Sequence, residues 1–400
     1  MKKLSENALR VKPSSTLNIT AKARELKQQG IHVISFGPGE PDFGTPENIN
    51  EAAIKAIRDG FTKYTDSSGT ADLRTAICDK LKTDNGLDYE PSQIIVSNGA
   101  KHSLNNIFMA LLNDGDEVLL PAPFWLSYAE IVHMAHGKAV IVYTEESQNF
   151  QLTRALLDSR LTEKTKAIII NSPNNPTGVI YDEKTLRMIA DFAVENDLYV
   201  ISDEIYEKLI YDGAPKHLSI ASLNKDIYER TIVVNGFSKS YSMTGWRVGY
   251  TAANKEITKV MASLQSHGTS NANSIAQKAA TEALRGGQDM VEVMRREFQK
   301  RRDYIYERVS AIPHISAVKP QGAFYIFVNV SGLCGKTVNG KRLNNAADVA
   351  EALLEEVNVV VVPCADFGFE NHMRLSYPVS METIKEGMDK IEAFINRHFV

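Results

Sequence analysis

Lys239 stands in the run Ser-Lys-Ser-Tyr-Ser-Met-Thr-Gly-Trp-Arg (238–247), just after the apolar stretch Thr231–Val234. A lysine closing a buried strand, with Arg247 a short way further on, suits a covalently held, phosphorylated aldehyde. Lysine forms a Schiff base with a carbonyl when its surroundings lower its pKa enough to leave the amine free. A nearby arginine supplies a bidentate clamp for phosphate. Most lysines are solvated surface charges, so the motif gains meaning only from its companions.

Those companions follow other short apolar runs, and in parallel α/β sheets ligands gather at the carboxyl ends of strands. After Ile94–Val96 comes Ser97-Asn98-Gly99-Ala100-Lys101-His102-Ser103, a small-residue turn opening a helix. Its N–H groups and positive helix end would cradle phosphate, although a plain tight turn reads the same. Glu117–Leu120 leads to Pro121-Ala122-Pro123-Phe124-Trp125, which places a tryptophan either to stack on a flat ring or to pack in the core. Lys166–Ile170 leads to Asn171-Ser172-Pro173-Asn174-Asn175-Pro176-Thr177-Gly178, either a simple turn or a rigid mount for the Asn175 amide. Leu198–Ile201 ends in Ser202-Asp203-Glu204-Ile205-Tyr206. There Asp203 reads as a helix N-cap or as a site carboxylate, with Tyr206 one helical turn on and facing the same side. Thr231–Val234 delivers Ser238 and Lys239.

These runs, with Ala139–Val142 and Val248–Thr251, are rich in Val and Ile without strict alternation, as in strands buried on both faces. Amphipathic stretches such as Ser103–Leu112 and Lys184–Glu195 lie between them. The alternation predicts an α/β fold, with a large domain over residues 47–285 whose mostly parallel seven-stranded sheet is flanked by helices. Residues 1–46 and 286–400 predict a smaller α+β domain with an N-terminal arm. Its elements are a charged helix from about Asp289 to Ser310, strands Phe324–Val328, Val357–Val362 and Met373–Ser376, and helices Ala346–Glu356 and Met381–Arg397.

A net charge of −4 over 400 residues argues against nucleic acid or an anionic membrane as the main partner. Cys78, Cys334 and Cys364 form no paired motif, which suits a reducing compartment. No apolar segment follows the charged N-terminus, and no run nears the roughly 18 apolar residues of a membrane span. A cytoplasmic location is expected. No H-E-x-x-H or Cys/His spacing suggests a metal, and no G-x-G-x-x-G follows a strand, which argues against a dinucleotide site. Gly332-Leu-Cys-Gly-Lys-Thr337 is too short between its glycines for a P-loop and reads as a turn.

A phosphate cradle, an aromatic ring, an amide, a carboxylate–phenol pair and a lysine together match the needs of one cofactor, pyridoxal 5'-phosphate. Its aldehyde takes the lysine, its ring nitrogen a carboxylate, its phenolate oxygen hydrogen-bond donors, and its phosphate N–H groups and an arginine. Nearly end to end, the chain resembles fold-type I pyridoxal-phosphate-dependent aminotransferases, in the bacterial aspartate aminotransferase branch. The resemblance is carried by Gly39-Glu40-Pro41-Asp42-Phe43, Lys63-Tyr64, Asn98–Lys101, Phe124-Trp125, Asn171–Gly178, Ser202–Tyr206, Ser238–Tyr250 and Met373–Tyr377. It implies that Lys239 bonds the aldehyde and shuttles the proton, and that Asp203 pairs with the ring nitrogen. Tyr206 and Asn175 would contact the phenolate oxygen, and Trp125 would stack on the ring. Gly99, Ala100, the Lys101 backbone, Ser238 and Arg247 would hold the phosphate, with Tyr64 reaching in from the second subunit of a homodimer with shared sites. Arg374 would clamp the substrate α-carboxylate, helped by Asn175, Trp125 and the Gly39 backbone.

In this branch Lys101, with Ser15 and Thr16, resembles the group that receives a dicarboxylate's distal carboxylate. The implied reaction moves the amino group of L-aspartate to 2-oxoglutarate, giving oxaloacetate and L-glutamate. The alternatives are an aminotransferase for aromatic amino acids or prephenate, a C–S lyase or decarboxylase using the same lysine, and a non-catalytic pyridoxal-phosphate-binding module. One departure stands out. Gly236 occupies the position, three residues before the lysine, where many members carry a phosphate-binding serine.

Overall fold

The computed structural model describes residues 2–11, 23–26 and 28–400. All seven apolar runs fold as strands of one sheet. Across it they lie in the order Ile94–Ser97, Gly249–Ala252, Thr231–Gly236, Tyr199–Asp203, Thr165–Asn171, Glu117–Ala122 and Lys138–Tyr143. Every neighbouring pair is parallel except those made by Gly249–Ala252, which runs against both of its neighbours. That reversal matters for the chemistry. Residues preceding Gly249–Ala252 arrive at the same sheet edge as residues following the other strands, so Arg247 comes to the edge where Lys239 stands.

Successive side chains of these strands serve opposite faces. Val118, Leu120 and Ile169 pack with Leu104, Phe108, Ile131 and Met261 from helices on one face. Leu119, Ile168 and Ile170 pack on the other with Leu186, Ile189 and Phe192 of the helix Glu183–Glu195. Burial on both sides explains the Val/Ile runs without alternation in the inner strands; the edge strand Lys138–Tyr143 is mostly half-buried or exposed. The helix itself begins where Asp182 accepts a hydrogen bond from the Thr185 N–H, a side-chain cap at 2.7 Å.

A second, antiparallel sheet has the order Val362–Pro363, His372–Ser376, Tyr325–Asn329 and Ser316–Ala317. It packs with the helices Asp289–Ala311, Ala346–Val357 and Met381–Phe399. Ile34–Ser35 pairs in parallel with Val359–Val360, which ties the N-terminal segment to this C-terminal body.

Two local expectations are corrected. Val357–Val362 is not one strand: the preceding helix continues through Val357, Asn358 ends it in a left-handed conformation (φ 54°), and Val359–Val360 and Val362–Pro363 then join different sheets. Asparagine tolerates that conformation where a valine would not. Nor does a helix follow Tyr199–Asp203. Residues 205–208 form turns, so Asp203 is not a helix N-cap; its Oδ1 accepts from the Ile205 N–H at 3.2 Å instead.

Directly beyond Asp203 lies a buried polar network. Glu204 accepts from Ser202 and Ser219 and pairs with His217 at 2.9 Å. Glu207 accepts from Asn235 and Asn85 and is paired with Lys80. Glu204, Glu207 and His217 bring ligand-type atoms within 4.8 Å of one another, but the Lys80 ammonium already supplies the positive charge there. Burial alone would raise the Glu207 carboxyl, yet Lys80 and His217 hold it at about 2. Because that lies below the ordinary 4.5, its contribution to stability is complete above that pH and is lost as pH falls toward 2. Lys80→Met strands a buried carboxylate and should destabilise the protein by about 3 kcal/mol near neutral pH. Urea unfolding of parent and variant at pH 7 checks this, and equal midpoints would rule it out.

Candidate active site

The strand ends converge on a cavity of about 320 Å³. Gly39, Ala100, Lys101, Trp125, Asn175, Asp203, Tyr206, Ser238, Lys239, Arg247 and Arg374 all line it. Eleven residues singled out in the sequence, spread over more than 300 positions, therefore meet in one place. Gly99 lies directly behind Arg247. Tyr64 is 89% exposed and does not line the cavity of its own chain. Ser15 and Thr16 lie outside the described residues.

Lys239 sits in the turn after Thr231–Gly236, and its Nζ donates to the Gly39 carbonyl at 2.5 Å. Burial lowers its ammonium to about 8; Glu40 opposes this, and the guanidiniums of Arg374 and Arg247 push the same way as burial. A free amine is therefore accessible close to neutrality.

Asp203 ends its strand fully enclosed. Burial pushes its carboxyl up to about 6, against the hydrogen bonds it accepts from the Tyr128 hydroxyl at 2.6 Å and the Ile205 N–H. The adjacent loop is held by reciprocal amide bonds. Asn171 Nδ2 donates to the Asp203 carbonyl, and Asn171 Oδ1 accepts from the Asn175 N–H at 2.8 Å. Asn175 Oδ1 accepts from Arg374 Nη1 at 3.1 Å, which leaves the Asn175 amide nitrogen as its donor.

Arg374 reaches the cavity from the second sheet. Its Nη2 donates to the Gly37 carbonyl at 2.9 Å, while its buried Nε has no partner among the described residues. Arg247 adopts a left-handed backbone (φ 56°) and donates to the carbonyls of Thr244 and Asn98. The helix Ala100–Leu111 opens beside it with the free N–H groups of a helix start. Gly249 makes this approach feasible, because a Cβ there would lie 2.4 Å from the Ala100 nitrogen. Gly236, paired with Gly249, has a related cause. Its Cβ would meet Gly249 Cα at 3.0 Å and Ile205 Cδ1 at 3.2 Å, so a serine would crowd the sheet at this point.

Lys101 Nζ stands 4.8 Å from the Trp125 ring centroid, and burial, then Arg247, lower its pKa. Four cations and one carboxylate thus line the space, which favours anionic ligands. Tyr128, Asn171, Thr244 and Tyr325 also line it and escaped the sequence reading. Tyr128 had one usable signal: it falls three residues after Trp125, close enough to present both rings to one place. Tyr325 had none.

Residues 31–391 match the family model for class I and II aminotransferases. The aspartate aminotransferase of Bacillus sp. (strain YM-2) is 48% identical over 99% of this chain and 100% of its own length. A probable aspartate/prephenate aminotransferase of Aquifex aeolicus is also 48% identical, over 98% of each chain. The crystal structure of the aspartate aminotransferase from Rhizobium meliloti superposes with a TM-score of 0.96 at 39% identity, covering 99% of this chain and 100% of that one. The chain belongs to the class I and II aminotransferase family, and its fold is that of these enzymes.

The cradle beside Arg247 depends on Gly99, which has φ 82° and would place a Cβ 2.4 Å from Arg247 Nη2. Gly99→Ala adds about 1–2 kcal/mol of backbone strain and displaces the guanidinium. Affinity for a phosphate monoester should fall by about tenfold or more, as titration calorimetry would show; unchanged affinity would remove Gly99 from the cradle.

Proposed function

We propose that this protein is an aspartate aminotransferase that uses pyridoxal 5'-phosphate to move the amino group of L-aspartate to 2-oxoglutarate. The observation that carries the reading is the joint placement of Lys239, Asp203 and Arg374 around one cavity, with a lysine pKa near 8. The donor set fits the cofactor. Gly99 leaves room for a phosphate beside Arg247 and the helix start, and Arg374 keeps an unpaired buried Nε for a carboxylate. Relatives that carry the name aspartate aminotransferase match the chain over its whole length.

When bound, pyridoxal phosphate supplies a carbonyl for attachment of the amine and a ring that withdraws electrons from the substrate's Cα. Ala100, Lys101, Ser238 and Arg247 would hold its phosphate, Asp203 its ring nitrogen, Tyr206 and Asn175 its phenolate oxygen, and Trp125 its ring face. Arg374 orients the substrate by its α-carboxylate, with Asn175 fixing the guanidinium. Lys239, as a neutral amine, would take the proton from Cα and deliver it to C4′, the cofactor's former carbonyl carbon on the other side of the amine nitrogen. Gly39, by accepting from Lys239, sets the height of that amine in the cavity.

The same reading treats residues 47–285 as the cofactor-binding domain, with 1–46 and 286–400 as the smaller one. It places the enzyme in the cytoplasm as a homodimer, in which the exposed Tyr64 completes the neighbouring subunit's phosphate shell. Among the described residues no helix is long and apolar enough to cross a membrane.

Lys239→Ala should bind the cofactor through phosphate and ring contacts yet lose nearly all turnover. A variant transaminating close to the parental rate would defeat the assignment.

Substrate choice turns on Lys101. Arg374 grips a carboxylate common to all amino acids, so discrimination needs a second cation, and the Lys101 ammonium beside Trp125 is placed for it. A flexible ammonium tolerates the one-methylene difference between aspartate and 2-oxoglutarate. Such a contact contributes roughly 1.5–3 kcal/mol, or about 10- to 150-fold in kcat/KM. Lys101→Ser should depress activity on aspartate and glutamate by that factor while sparing phenylalanine. Equal losses on acidic and aromatic substrates would leave Lys101 as a backbone contact only.

A further inference from the structure

We propose that Tyr325 is a positioning residue whose hydroxyl donates to Tyr206 and so keeps the Tyr206 proton directed into the cavity. The proposal rests on reading the cavity as a pyridoxal phosphate site. Tyr325 opens the strand Tyr325–Asn329 of the second sheet, is fully buried, and reaches across to the edge of the main sheet. Its Oη lies 2.8 Å from Tyr206 Oη, and among the described residues neither hydroxyl has another hydrogen-bond partner.

A phenol carries one proton, so only one of the two hydroxyls can donate to the other. If Tyr206 donated to Tyr325, it would show the cavity only lone pairs and could not stabilise an anionic oxygen there. Arg374 decides the direction. Its guanidinium carbon stands 4.6 Å from the centroid of the Tyr325 ring, whereas among the described residues no cation stands over the Tyr206 ring, which packs edge-on with the rings of Phe324 and Tyr325. A cation over a ring draws electron density from it and strengthens its phenol as a donor. Burial raises both phenols; at Tyr325 the Arg374 charge is the main cause opposing that rise, while at Tyr206 the neighbouring Tyr325 adds to it. Tyr325 is therefore the better acid of the pair and donates. Tyr206 accepts, its own proton points elsewhere, and hydrogen bonds chained in this way polarise one another.

The Tyr325 hydroxyl is also confined. A Cβ on residue 39 would lie 2.7 Å from it, so Gly39, whose carbonyl accepts from Lys239, gives it just enough room. Tyr325 thus links Tyr206, Arg374 and the segment that holds Lys239.

The test compares the pyridoxal-phosphate-loaded parent with Tyr325→Phe, Tyr206→Phe and the double variant. Phenylalanine preserves the packing and the Arg374 contact and deletes only the donor. The readout is the midpoint of the acid–base titration of the cofactor's visible absorbance. A weaker donor at the ring's phenolate oxygen leaves the proton it shares with the bound amine in place to higher pH. Tyr325→Phe should raise the midpoint by roughly half a pH unit with an unchanged melting temperature. The same change should add nothing in the Tyr206→Phe background. An unshifted midpoint, or an equal shift in both backgrounds, overturns the proposal. A loaded parent with no titrating visible band would instead overturn the cofactor reading, and this proposal with it.

Discussion

Charge left unneutralised inside a cavity is the constraint around which the molecule is arranged. Lys101, Lys239, Arg247 and Arg374 face one space with a single carboxylate, Asp203. Elsewhere the chain pairs enclosed cations with carboxylates: Arg301 with Asp42 and Glu297, the partly buried Arg308 with Asp389 and Glu392, and Lys80 with Glu207. Around the cavity the partners are neutral instead. Arg374 is fixed by the Gly37 carbonyl and an asparagine oxygen, and Arg247 by the carbonyls of Thr244 and Asn98. Neutral acceptors orient a guanidinium without cancelling its charge, which leaves it both aimed and available for an anionic group. The depressed lysine pKa comes first from burial, with the Arg374 and Arg247 charges adding to it against Glu40 and Asp203.

Holding like charges together requires a stiff frame, and the frame is built from close backbone approaches. Gly249 lets a helix start press against the sheet, Gly99 lets Arg247 reach that start, and Gly236 lets Gly249 and Ile205 approach its own backbone closely. Below Asp203, the Glu204–His217 and Glu207–Lys80 pairs fill what would otherwise be a weak point next to a buried carboxylate. Their polar atoms are satisfied internally, which keeps the turn after Tyr199–Asp203 in one conformation.

The segment 37–42 joins the two bodies at the site. Gly37 accepts from Arg374, Gly39 from Lys239, Glu40 from Thr244 at 2.9 Å, and Asp42 pairs with Arg301. One short stretch thereby touches Arg374, Lys239, the Thr244 turn beside Arg247 and the long helix Asp289–Ala311. A shift of either body against the other would change several of these contacts together.

Much of this was legible in the chain itself. Val/Ile runs announced all seven strands, six of them buried along most of their length, and small or functional residues after five of them marked the cavity edge. Eleven cavity residues were found this way or through the family resemblance. Strand direction was not legible, since the same apolar pattern suits either sense; only pairing made Gly249–Ala252 antiparallel and brought Arg247 to Lys239. The turn at residues 205–208 and the split at Val361 were likewise decided by contacts far away in sequence. Tyr128 and Tyr325 look like ordinary core aromatics until folding sets one against Asp203 and the other between Tyr206 and Arg374. Local chemistry and periodicity are written residue by residue. The direction of a strand, the charge balance of a cavity and the partner of a buried phenol are properties of neighbours, and the tertiary structure alone chose those.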